Sequence, residues 1–223
     1  MNLKVTELAW PRRPGAAAGT AGVTAGVRGA KAVTEVKAVV APTVHAPTVS
    51  AAAIPALALR STGTAKRVLK EYTALMKDAP THWRAWVNEA NLMEWKVIFN
   101  GPPGTPYEDG NFLLTVSFPS NFPFQAPKVR FVTPIYHCNM SMDGRICIDI
   151  LKDSWSPAIT MHKLFLAIES LVLSPNPNDP MDAYKATLLK DDKPAYQAEA
   201  RAATLRAAAR SVEEMISLYS LEE

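Results

Sequence analysis

An α+β fold is what this sequence predicts, and three observations carry the prediction. An amphipathic helical run at residues 64–77 comes first. Three short runs rich in β-formers follow between residues 92 and 132, separated by Gly- and Pro-rich turns. From Thr160 to residue 219 the pattern is helical again. Strand runs bracketed by helical runs, rather than alternating with them, are the pattern of an α+β domain.

The first sixty residues differ from all that follows. They are dominated by Ala, Val, Thr and Gly, hold one aromatic, Trp10, and repeat Ala-Pro-Thr-Val at 41–44 and 46–49. So few large side chains cannot offset the entropy of ordering, and the stretch reads as a disordered extension. It carries +5, whereas residues 61–223 carry −2. The extension is basic and acid-poor, as mitochondrial targeting segments are, but Ser is scarce and no amphipathic face surrounds Arg12 and Arg13. Lys31 and Lys37 are exposed amines open to self-modification, and His45 reads as a loop residue without a role. The remainder, in a chain of 223 residues that is 48% hydrophobic, can bury a sizeable core. A net charge of +3 is too small to argue for nucleic acid. Two cysteines make no disulfide framework and fit a reducing cytoplasmic or nuclear compartment. No run of 18 apolar residues is present, so no membrane partner is expected.

Each element has its reason. Val68, Leu69, Tyr72, Leu75 and Met76 fall on one helical face, with Lys66, Lys70 and Lys77 on another and Arg67 beside it. Leu92–Phe99 reads as a strand closed by Gly101-Pro102-Pro103-Gly104. That turn fails as a phosphate loop, because Pro106 and Tyr107 stand where Gly-Lys-Ser/Thr is needed. Phe112–Phe118 places Leu114, Val116 and Phe118 on one face and is ended by Pro119. Lys128–Val132 follows as a third strand. Thr160 can cap a helix whose core face is Leu164, Phe165, Ile168, Leu171 and Val172, with His162 at the surface. Three prolines alternate through residues 174–180, which is therefore a loop. Residues 182–190 and 194–219 read as helices, Pro194 standing at a first-turn position.

Residues 136–158 hold both cysteines. Cys147 lies between Ile146 and Ile148, and a thiol in such a run is either a packed core group or a nucleophile at a loop edge. The turn signal Asp143-Gly144 just upstream favours the edge. His137 and Asn139 lie before it and Asp149 after it. An amide donor such as Asn139 can stabilise the oxyanion formed when a thiolate attacks a carbonyl. No Ser-His-Asp or Cys-His pairing accompanies Cys147. Nor do the two cysteines with one adjacent His make a closed metal ligand set.

These residues resemble the active-site segment of ubiquitin-conjugating enzymes. The matching pattern is His137-Cys138-Asn139, then Cys147 eight residues after the Asn, then Ile148-Asp149-Ile150-Leu151 and Trp155-Ser156-Pro157-Ala158. Cys138 stands where Pro is usual, a variation found in members with N-terminal extensions. Pro106-Tyr107-Glu108-Asp109-Gly110-Asn111-Phe112 and Asn176-Pro177-Asn178-Asp179-Pro180 are similar to two further family turns. The resemblance covers residues 61–209 as a catalytic core and leaves 210–223 as a C-terminal helical extension whose purpose is not legible. It implies one N-terminal helix, a four-stranded antiparallel meander and C-terminal helices, with a short fourth strand near the segment leading to His137.

The resemblance also implies roles. Cys147 accepts ubiquitin as a thioester from the activating enzyme, which uses ATP upstream, so no cofactor and no metal is expected on this chain. Asp179, aided by Asp149, orients the incoming lysine and eases loss of its proton; Asp179 can equally cap the helix beginning near Met181. Asn139 supports the oxyanion or orders the loop. His137 is structural, Asn176 matches a gate residue, and Cys138 is a small packed side chain. Lys66, Arg67 and Lys70 match the face that meets the activating enzyme, against the plainer reading of a solvated basic face. Phe124, Pro157 and Ala158 match the site gripped by RING or HECT ligases. Protein substrates complete the partners of what is expected to be a monomer. A NEDD8 carrier of the same fold is the nearest alternative, and a catalytically dead scaffold is one from another class. SUMO is disfavoured because only Lys152-Asp153-Ser154 separate Leu151 from Trp155. Arg84 stands where some members use a small Ser to bind a second ubiquitin behind the sheet, which puts such binding in doubt.

Overall fold

The computed structural model describes residues 63–88 and 91–221. The expectations for the N-terminal extension, including its targeting and its lysines, lie outside the described residues. Helix α1 spans Thr64–Lys77, and Val68, Leu69, Tyr72 and Leu75 are buried on the face read from the periodicity. Strands β1 (Trp83–Asn88), β2 (Asn91–Asn100), β3 (Asn111–Ser117) and β4 (Lys128–Phe131) form one antiparallel sheet in the order β1-β2-β3-β4. A 3-10 turn covers Asp149–Leu151, and helices α2 (Met161–Leu173), α3 (Ala183–Asp191), α4 (Lys193–Ala207) and α5 (Val212–Tyr219) follow. The α+β class and the meander are as expected.

Two details correct the sequence reading. The fourth strand does not precede His137; it is Trp83–Asn88, at the opposite edge, pairing Trp83 with Phe99 and Val87 with Trp95. Its period-2 alternation sends Trp83 inward and Trp86 outward, which is strand behaviour. The segment before His137 is held by other bonds. The amides of Val132 and Thr133 both donate to the Leu113 carbonyl, and the Tyr107 hydroxyl donates to the Tyr136 carbonyl at 2.8 Å. The single helix expected over 194–219 is broken at residues 208–211. Asn111 ends it: its amide donates to the Ala208 carbonyl and its side chain to that of Arg210, both at 2.8 Å. Ser211 then starts α5 with a capping box, accepting from the Glu214 amide while the Glu214 carboxylate accepts from the Ser211 amide.

The inner sheet face makes the main core. Trp95, Val97, Phe99, Phe112, Leu114, Val116, Val129 and Phe131 meet Val68, Tyr72 and Leu75 of α1 and Leu164, Phe165 and Ile168 of α2. Trp83 stacks on Phe165 with centroids 4.8 Å apart and rings 4° from parallel, joining the edge strand to α2. Thr160 caps α2 as expected, accepting from the Lys163 amide. This core fixes the start of α2 and the end of β4, and the segment carrying both cysteines runs between them.

Candidate active site

The turn before Cys147 is built by backbone geometry. Met140 bridges Ile146, the Cys147 amide donates to the Asn139 carbonyl at 2.9 Å, and Ser141 closes on Arg145. Gly144 permits this in two ways. Its φ is +79°, and a β-carbon there would lie 1.9 Å from the Phe131 carbonyl oxygen. Gly144→Ala should therefore destabilise the protein by about 3 kcal/mol. That corresponds to a thermal midpoint lower by roughly 6–12 °C, read by scanning calorimetry.

His137 and Asn139 are buried beneath the turn. The His137 Nε2–H donates to the Leu171 carbonyl at 3.0 Å, and Nδ1 accepts from the Asn139 amide at 3.0 Å. These bonds require the neutral ring, with the proton on Nε2. Burial pushes its pKa down to about 4, outweighing the bond to Leu171 that favours the charged form. A base with a depressed folded pKa contributes stability that is complete above the unfolded value of about 6.5 and is lost as pH falls toward 4. The loss should approach about 3 kcal/mol. Urea midpoints measured from pH 7 to pH 4 should show this slope in the wild type and a shallower one in His137→Gln.

Asn139 ties two segments together. Its Nδ2 donates to the carbonyls of Asn176 at 2.8 Å and Asp179 at 2.9 Å, and its Oδ1 accepts from the Asn176 amide at 2.8 Å. Both amide protons are used on the 174–180 loop, so of the two expected roles the geometry displays loop ordering. The Cys138 thiol donates to the same Oδ1, and the Cys138 carbonyl accepts from the amides of Met181 and Asp182. Burial raises the Cys138 thiol above its ordinary range, which keeps it protonated.

The loop so held carries Asp179 to Cys147, whose thiol meets Asp179 Oδ2 at 3.4 Å. Asp179 does not cap the next helix; Asp182 does, accepting from the Lys185 amide. Lys152 reaches the same sulfur, its Nζ 3.0 Å from Cys147 Sγ. That hydrogen bond, with the negative charge of the sulfur when ionised, raises the Lys152 ammonium above its usual range. Lys152 was missed in the sequence. It lies five residues from Cys147 across the 3-10 turn, a spacing that no helix or strand period flags. Asp149 begins that turn, exposed, and its charge acts on Lys152. Asn176 is exposed, with its side-chain oxygen accepting from the Asn178 amide.

The remaining predicted positions fall in two groups. Lys66 and Lys70 are exposed on α1. Arg67 points inward instead, to Glu71 Oε1 at 2.8 Å, to the Pro157 carbonyl at 2.9 Å and over the Phe122 ring. It braces the loop holding Pro157 and Ala158, both exposed. Phe124 is 79% exposed, and the Trp155 indole donates to the Pro123 carbonyl, joining its loop to the Pro157 loop. Among the described residues no helix is long and apolar enough to cross a membrane, and no group of acids, His and Cys could hold a metal ion.

The arrangement is a half-exposed thiol between an ammonium and a carboxylate, on an edge open to macromolecules. It suits acyl transfer between large partners better than hydrolysis inside a closed pocket. A family model described as ubiquitin-conjugating enzyme matches residues 67–204, a span that includes Asn139, Cys147 and Asp179 and ends before α5. Matched over more than half its length, with helix, four-stranded meander and C-terminal helices in place, this chain belongs to the ubiquitin-conjugating enzyme family.

Proposed function

We propose that Cys147 carries ubiquitin as a thioester, received from the activating enzyme, and passes it to a substrate lysine or to a ligase cysteine. One observation carries the reading: Cys147 Sγ lies between Lys152 Nζ and Asp179 Oδ2, with Asp179 held there by Asn139. In the first step the Cys147 thiolate attacks the carbonyl carbon of the thioester on the activating enzyme. A new C–S bond forms, the old one breaks, and the activating enzyme's thiolate leaves. In the second step a neutral lysine amine attacks the same carbon, an isopeptide bond forms, and the Cys147 thiolate leaves. Asp179 orients the amine and receives its proton, and the charge of Asp149 adds to the field that draws an ammonium. Lys66 and Lys70 meet the activating enzyme, and Phe124, Pro157 and Ala158 meet a RING or HECT ligase. ATP is consumed upstream.

The test is a charging assay with the activating enzyme, ATP and the modifier, run for ubiquitin, NEDD8 and SUMO sets in parallel on non-reducing gels. An adduct with ubiquitin that thiol reductant removes is expected. Charging by NEDD8 alone would retain the chemistry and overturn the partner, and no adduct from folded protein would overturn both.

A further inference from the structure

The loop that carries Asp179 is tied at two places to the segment ahead of Cys147. Asn139 holds its first part, at Asn176 and Asp179. Cys138 holds its exit, where the Cys138 carbonyl accepts from the amides of Met181 at 2.8 Å and Asp182 at 3.1 Å. The chain then enters α3, and the start of α3 has little apolar surface to hold it in place. The buried residues of this helix are Lys185 and Ala186. Met181 and Tyr184, the large side chains on either side of Asp182, are exposed.

A lysine is rarely buried unless its charge is paired, and Lys185 is only 8% exposed. Its Nζ lies 3.2 Å from Asp182 Oδ2 and 4.9 Å from the centroid of the Tyr136 ring. Asp182 uses its other oxygen to cap α3, accepting from the Lys185 amide at 3.1 Å. The ring is fixed in turn. Tyr196 meets it edge-on with centroids 5.5 Å apart, and the Tyr107 hydroxyl holds the Tyr136 carbonyl. Lys185 thus joins Asp182, just past the loop, to Tyr136, just before Cys138. Away from water, the attraction of one ammonium for a carboxylate and for a ring face is little screened. An apolar side chain of the same length would fill the space and leave Asp182 unheld.

We infer that Lys185 is a positioning residue for the lysine step. Through Asp182 and the Tyr136 ring it fixes the exit of the 174–180 loop, and so keeps the Asp179 carboxylate at the Cys147 sulfur. It acts through the loop and not on the reacting atoms, and the inference rests on the proposed role of Asp179. A misplacement of about 1 Å at a reacting group can slow a reaction about a hundredfold. The Asn139 anchor remains when Lys185 is lost, so the expected effect is smaller, about tenfold.

The experiment uses the full chain and measures charging by the activating enzyme beside single-turnover discharge of the Cys147 thioester to free lysine. Lys185→Met keeps the length of the side chain and removes its charge. It should charge within about twofold of the wild type and discharge about tenfold more slowly. Lys185→Arg keeps a cation suited to both a carboxylate and a ring, and should discharge within about threefold of the wild type. Asp182→Asn keeps a capping residue and breaks the ion pair from the other side. It should slow discharge in the same direction, and it carries the test if Lys185→Met does not fold. The deciding variant is Lys185→Met combined with Asp179→Asn. If Lys185 acts through Asp179, this double variant should discharge within about twofold of Asp179→Asn alone. A merely structural effect would multiply, making the double variant about tenfold slower still. Multiplied defects would overturn the inference. So would wild-type discharge in Lys185→Met, or Lys185→Arg as slow as Lys185→Met. Wild-type discharge in Asp179→Asn would instead remove the role of that carboxylate, and this inference with it.

Discussion

Cys147→Ser should convert a reductant-labile ubiquitin adduct into a resistant one. The wild-type adduct is a thioester, which free thiols exchange; the serine adduct is an oxyester, which they do not. Charging of the variant should slow, because a serine hydroxyl is a weaker nucleophile than a cysteine sulfur toward a thioester carbonyl. Discharge to free lysine should fall at least about a hundredfold, or about 2.7 kcal/mol in barrier, since an alkoxide leaves less readily than a thiolate. Cys138→Ser should charge as the wild type does, its thiol being buried and held protonated. A reductant-labile adduct persisting in Cys147→Ser and vanishing in Cys138→Ser would move the nucleophile. A resistant adduct in the wild type, abolished by Lys152→Arg, would mean that the amine beside the sulfur captures the acyl group.

The second large effect is on the lysine step alone. Asp179→Asn should leave charging within about threefold and slow discharge to lysine by about a hundredfold at neutral pH, the low end for a positioned general base. The deficit should narrow as pH rises toward 10, where lysine amines lose their proton unaided. Asn139→Ala should slow the same step for a different reason. It removes the two donors to the carbonyls of Asn176 and Asp179, so the carboxylate is no longer held against the sulfur. Its deficit should not narrow with pH, because a misplaced loop is not repaired by deprotonating the substrate. It should also lower stability by about 1–3 kcal/mol, as the hydrogen bonds of the buried Asn139 side chain to the loop are lost. Single-turnover discharge of preformed thioester at pH 7 and pH 9.5 separates the two variants. Identical pH dependence in both would argue that Asp179 acts only by holding the loop.

Much of the fold was readable because most elements announce themselves by period. Helix α1, the strands β2 to β4 and the Thr160 cap stand close to where apolar spacing and turn residues put them. Strand β1 is hard to read from the sequence because its side chains alternate over only six residues. Its strand character comes from pairing with β2, a long-range fact. The break before α5 was announced by Ser211-x-x-Glu214, but an Ala-rich run across 202–209 hides where the preceding helix stops. Asn111, a hundred residues earlier, decides that point.

What the sequence determined by itself is the chemistry available: a thiol at a loop edge, an amide eight residues before it, and an acid in a proline-stiffened loop. Those follow from residue types and local spacing, which short motifs preserve. Only the tertiary structure decided how they meet. It brought Lys152 to the sulfur, fixed His137 in one neutral tautomer, turned Arg67 inward to brace a loop and laid α5 over Trp86, Ile98 and Leu113. Each of these depends on packing between segments far apart in the chain or across an irregular turn, where side-chain direction is set by burial and hydrogen-bond satisfaction rather than by any period along the sequence.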